Sequence, residues 1–93
     1  MRVGSYATWL RHIEQADKQP LLVRRVDWQG ERYNVASQTV DTTYAVRYVA
    51  NDEGEYISCT CPAGRRGLAC KHAAGVLALV HPQEFRKLLR RTA

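Results

Sequence analysis

The chain has 93 residues, 45% of them hydrophobic and 25% charged, with a formal charge of +5 at pH 7. That length suits one domain, 1–93, and a domain so small buries only about 60–65% of its unfolded surface, so a metal staple is physically welcome. The longest apolar run, Ala73 to Val80, is far short of the ~20 residues a membrane span needs. The start, Met1-Arg2-Val3-Gly4-Ser5, lacks the apolar core of a secretory leader, so the expectation is an intracellular protein, cytoplasmic or nuclear.

Ser5 reads as an N-cap. Tyr6, Trp9, Leu10 and Ile13 follow at helical spacing and predict a helix over 6–18. Trp9 on that stripe is a core or interface anchor, and His12 a surface residue. Gln19-Pro20 punctuates the chain. Leu21 to Trp28 is rich in β-formers, and its Val26/Trp28 alternation suggests a strand with at least one of Arg24 and Arg25 in solvent. Gln29-Gly30 reads as a turn, and Arg32 to Ser37 as the second strand, with Tyr33 and Val35 on one face. Gln38 to Thr43 reads as a loop. Thr43 to Val49 alternates clearly, Tyr44, Val46 and Tyr48 against Ala45, Arg47 and Val49. Asn51-Asp52-Glu53-Gly54 is a turn; its acids lack the ordered oxygen pattern of a calcium loop and read as a solvated acidic turn. Glu55 to Thr60 then returns antiparallel.

All three cysteines lie in the next stretch, Cys59 to His72, in the order Cys-x-Cys, eight residues, Cys-x-His. Zinc binds thiolate sulfur and imidazole nitrogen, and a structural site closes with four such ligands. Residues i and i+2 of a strand share a face, so Cys59 and Cys61 can grip one ion from a strand end. On a helix they diverge, so Cys70 must precede a helix and His72 lie in its first turn. Pro62, Gly64 and Gly67 supply turn chemistry between the pairs. A disulfide is disfavoured, because three cysteines cannot all pair and nothing marks secretion. A catalytic cysteine needs a base and an orienting group, and His72 is better placed as a ligand. A zinc enzyme needs an open ligand position or an added acid or base; Glu55 and His81 are the nearby candidates, and neither has a convincing spacing.

Lys71 to Val80 reads as a helix with Ala73, Val76, Leu77 and Val80 buried. Gly75 weakens it by about 1 kcal/mol unless a close approach to the sheet requires it. His81-Pro82 ends it, and a last helix over 82–91 carries Phe85, Leu88 and Leu89 on one face. The fold expected is therefore α+β: an antiparallel meander of three to four strands, a helix packed at the zinc site, and a flanking helix at each end.

Cys59-x-Cys61 … Cys70-Lys71-His72, with Tyr33-x-Val35-x-Ser37 and Tyr44-x-Val46 upstream and Ala73 to Val80 downstream, resembles a SWIM-type zinc finger. The resemblance covers about 32–80. It implies a β-hairpin and a helix around one zinc ion, held by Cys59, Cys61, Cys70 and His72, and it implies binding of DNA or of protein partners.

Two readings of the role follow. In the first, the module binds nucleic acid, DNA foremost, through phosphates. Arg65 and Arg66 lie between the ligand pairs, and Lys71 at a helix start, where amides and dipole also favour phosphate. A second basic set is Arg86, Lys87, Arg90 and Arg91, which also complements a helix C-terminus without binding anything. In the second reading the module is a protein-interaction adaptor, docking a partner or a second copy on the Tyr6/Trp9/Leu10/Ile13 and Phe85/Leu88/Leu89 faces. Neither reading assigns catalysis.

Overall fold

A computed structural model describes the chain except residues 19, 20, 28, 30, 38–41 and 93; the side chains of 17, 37, 85, 88, 89, 91 and 92 also lie outside the described set. The expected strand residue Trp28 and most of the expected loop 38–43 therefore lie outside the described residues, as do the side chains of Phe85, Leu88, Leu89 and Arg91.

A 3-10 turn, Tyr6–Trp9, leads into α1, Leu10–Lys18. The expected helix is thus continuous but tighter in its first turn. Ser5 caps it, its Oγ accepting from the Ala7 amide at 3.3 Å. Four strands follow: β1 Leu21–Arg25, β2 Arg32–Ser37, β3 Thr43–Asn51 and β4 Gly54–Cys59. They form one antiparallel sheet in chain order, β1-β2-β3-β4. A short helix α2, Pro62–Arg65, precedes α3, Lys71–Val80, and α4, Pro82–Thr92.

Strand lengths depart from the sequence reading for local reasons. β1 stops at Arg25, two residues before Asp27, whose Oδ1 accepts from the Glu31 and Arg32 amides. β3 begins at Thr43 and runs on to Asn51, leaving Asp52-Glu53 as a two-residue hairpin turn closed by the Asn51–Gly54 pair. Gly54 there has φ +135°, open to glycine but not to an L side chain. The chain start adds to the outer edge of β4: Arg2 pairs with Tyr56, and the Val3 amide donates to the Glu55 carbonyl at 2.9 Å.

The period-2 pattern puts Tyr33, Val35, Val46, Tyr48, Ile57 and Cys59 on one face, all buried. Onto them pack Trp9 and Ile13, and Ala73, Ala74, Val76 and Leu77 of α3. Trp9 is 1% exposed, and its indole N–H donates to the Val3 carbonyl at 2.8 Å. Trp9 and Ile13 of the N-terminal stripe are therefore core and unavailable for docking, while Tyr6 and Leu10 are half-buried. His12 is half-buried, its ring edge-on to Trp9 rather than free in solvent. No helix among the described residues is long and apolar enough to cross a membrane.

Candidate metal centre

β4 and α3 converge on the stretch 59–72. Cys59 is the last residue of β4. Cys61 is not a second strand residue, as expected, but the N-cap of α2. The chain leaves the sheet at once because Pro62 takes the first helical position, where its fixed φ and missing N–H cost nothing. Cys70 is the N-cap of α3 and His72 lies in its first turn, as the spacing required. The three sulfurs and one imidazole nitrogen all lie within 4.8 Å of one another, and all four residues are buried.

Each sulfur accepts one backbone amide. Cys61 N donates to Cys59 Sγ at 3.5 Å, Gly64 N to Cys61 Sγ at 3.3 Å and Ala73 N to Cys70 Sγ at 3.4 Å. Such donors favour thiolate over thiol. The neighbouring Cys59 first, then His72 and the Ala73 amide, outweigh burial and hold Cys70 well below the usual thiol range. The α3 N-terminus thus serves the Cys70 sulfur. The Ala73 amide is directed at that sulfur, and Ala74 N donates to the Cys70 carbonyl at 3.0 Å.

His72 is 8% exposed, and its Nδ1 is buried with no hydrogen-bond partner among the described residues. An unsatisfied buried nitrogen beside three buried sulfurs is what a soft divalent cation corrects. The Tyr44 ring lies 4.7 Å from the His72 ring and limits its orientation. The donor set therefore fits one structural zinc ion: four protein ligands fill a tetrahedral shell and leave no position for a reacting water.

Two positioning residues escaped the sequence reading. Tyr44 was read only as strand. Gly64 was read as turn chemistry, but its role is steric: a Cβ there would lie 2.2 Å from the Cys59 carbonyl oxygen. Gly67 does supply the expected left-handed turn, with φ +73°, and its amide closes onto the Gly64 carbonyl at 3.0 Å.

The basic residues divide. Arg65 ends α2 and Arg66 caps it; both are exposed. Lys71 is half-buried at the start of α3. Arg86, Lys87 and Arg90 are exposed on α4, away from the knuckle in sequence, and Lys87 pairs with Glu84 at 3.9 Å. Glu55 and His81 do meet, although their spacing suggested nothing. Glu55 Oε2 accepts from Tyr6 at 2.7 Å and from Tyr48, and His81 Nε2 lies 3.1 Å away. This cluster sits four residues up β4 from Cys59 and nine along the chain from His72, roughly 13 Å by either route. It ties the N-terminal turn, the sheet and the α3–α4 junction together.

The fold and site define a small α+β domain built around a buried Cys3His zinc centre. Residues 46–81 match the family model of the SWIM zinc finger, so the resemblance read from the sequence holds over that segment, which runs from within β3 to just past α3 and contains all four ligands. Comparison of the chain with curated proteins and with solved structures gives no match.

Proposed function

We propose that this zinc-stapled domain is a non-catalytic module that binds nucleic acid, DNA foremost, through its phosphates. The observation that carries the reading is the knuckle itself. Arg65 and Arg66 stand exposed side by side on the loop that the four ligands close, and no acidic residue occurs between Cys59 and His72. A loop pinned at both ends by metal ligands presents its cations with little ordering cost on binding. The formal charge of +5 supports the same partner. Lys71 lies within the same knuckle, and Arg86, Lys87, Arg90 and Arg91 add a second basic set on α4.

The test is fluorescence anisotropy of the zinc-loaded protein with labelled DNA, at about 50 and 200 mM salt, because phosphate binding falls steeply with salt. Arg65→Gln/Arg66→Gln should weaken binding by an order of magnitude or more while zinc content and melting temperature stay unchanged. Equal affinity of variant and parent would remove the knuckle from the interface.

A further inference from the structure

We propose that the uncovered face of the sheet is a binding surface for single-stranded nucleic acid, with Arg32 and Arg47 at its centre. This deepens the proposed function and rests on it. It names a surface that the basic knuckle does not include and a strandedness that the knuckle cannot decide.

The helices cover one face of the sheet only. The opposite face carries the alternate residues of every strand. Leu22, Arg24, Arg32, Asn34, Thr43, Ala45, Arg47 and Ser58 are all exposed, and Val49 and Tyr56 half-buried. Register places Arg32 directly across from Arg47, with Ser58 next in the same row and Arg24, Asn34 and Ala45 in the row beside it. Arg2 extends the set, its guanidinium 5.9 Å from the centre of the Tyr56 ring. Among the described residues, no strand position on this face is acidic. Two carboxylates border the pair: Asp27 Oδ1 accepts from the Arg32 amide at 3.1 Å, and Glu31 lies 3.9 Å from Arg47, whose side chain is still 61% exposed.

Like charges directly opposite each other in a sheet are unfavourable. The Glu31 pair offsets this repulsion only in part, and an anion that bridges the two guanidinium groups offsets the remainder. Phosphodiesters suit that bridge, since guanidinium binds phosphate through two parallel N–H bonds.

The space around the pair argues for an unpaired strand. A shallow groove of about 280 Å³ lies on one side of Arg47, lined by Val26, Arg32, Asn34, Ala45, Ser58 and Thr60. A second, of about 290 Å³, lies on the other side, lined by Met1, Val49, Tyr56 and Ser58. Small side chains at Ala45 and Ser58 leave these spaces open. Asn34, Ser58 and Thr60 offer hydrogen-bonding groups, and Tyr56 and Val49 offer apolar surface. Two grooves flanking a cation pair suit bases splayed on either side of a phosphate, the way single strands meet stacking and hydrogen-bonding surfaces. A duplex fits poorly. The major groove, about 12 Å wide, admits a helix or a two-stranded ribbon, not a four-stranded sheet.

The experiment compares the zinc-loaded parent, Arg32→Gln/Arg47→Gln and Arg65→Gln/Arg66→Gln. Each is titrated against a mixed-sequence single strand and a duplex of equal length, over a range of salt. The expected result is tighter binding of the single strand by the parent. Arg32→Gln/Arg47→Gln should lose at least tenfold in affinity for it. Two lost phosphate contacts should also flatten the slope of log K against log salt by about 1.4, at roughly 0.7 per contact. Unchanged zinc content and melting temperature in that variant show that the fold is intact. Amide NMR shifts on adding the single strand should centre on β2 and β3. Full affinity and slope in Arg32→Gln/Arg47→Gln, with loss in Arg65→Gln/Arg66→Gln, overturns this inference and leaves the knuckle reading standing. Equal or tighter duplex binding overturns the assignment of a single strand. Parent protein that binds neither probe at low salt overturns both proposals. Polyglutamate binding as tight as the oligonucleotide overturns the assignment of nucleic acid to this face.

Discussion

Gly64→Ala is the sharpest probe of how the knuckle holds its ligands. The added Cβ would lie 2.2 Å from the Cys59 carbonyl oxygen, 2.7 Å from its carbon and 2.8 Å from its Cβ, whereas ordinary contact begins at 3.4 Å. The obstacle is backbone, so no side-chain rotation relieves it. The loop must open by more than about an ångström, against a tolerance of roughly 0.2 Å in metal–ligand distance. The displaced segment carries the Cys59 and Cys61 ligands, and it includes the Gly64 amide that donates to Cys61 Sγ. Residues that support ligands typically contribute 10–100-fold to metal affinity. With two ligands displaced together, the expected loss of zinc affinity is at least about 100-fold, roughly 2.7 kcal/mol. Competition against a chromophoric chelator measures it at equilibrium. Gly75→Ala is the control. Its Cβ would meet Leu21 Cδ1 and Val23 Cγ2 at 3.5 Å, an ordinary contact, so α3 does not need glycine there. That change should leave zinc affinity alone and stabilise the protein by about 0.5–1 kcal/mol. Parental zinc affinity in Gly64→Ala would show that the loop opens freely and refute the steric argument.

Removing zinc should unfold the stretch around 56–80. The four ligands are core residues, buried with Val46, Ile57 and Ala73. In zinc-finger peptides the metal supplies roughly 10–16 kcal/mol of apparent binding energy. A circular dichroism spectrum and melt unchanged by chelation would contradict this. Glu55→Gln should destabilise the protein in a pH-dependent way. Burial pushes the Glu55 carboxyl up, but hydrogen bonds from Tyr48 and Tyr6 and the adjacent His81 outweigh it and hold it below the usual carboxylate range. A pKa lowered in the folded state stabilises above the unfolded value, and that stability is lost as pH falls through the folded one. Hydrogen bonds to a charged group contribute about 1.5–3 kcal/mol, and partial exposure of Glu55 reduces this, so the expected cost near pH 7 is about 1–2 kcal/mol. The gap between parent and variant in urea midpoint should close in acid. A gap that widens with acid would reverse the sign of the argument.

How much was legible in advance differs from residue to residue. The chain's alternating runs set which side chains share a face, because a strand's side-chain period is 2. Tyr33/Val35 and Val46/Tyr48 were therefore readable as one buried surface, and they are. The ligand set was equally readable. Soft ligands are rare, and the Cys-x-His spacing works only when Cys70 caps a helix, as it does. A local feature such as the Ser5 cap follows from one side chain and its neighbours. What the sequence could not show is everything that depends on distant segments meeting. Gly64 is obligatory only because α2 folds back onto the end of β4. Tyr44 orients His72, and Tyr6, Tyr48 and His81 converge on Glu55, across separations from 7 to 49 residues. Arg32 and Arg47 are unremarkable in the chain and become a pair only through the β2–β3 register. Local chemistry determined which residues hold the metal and which face is core; the packing of helices on one side alone decided that the other face stays open.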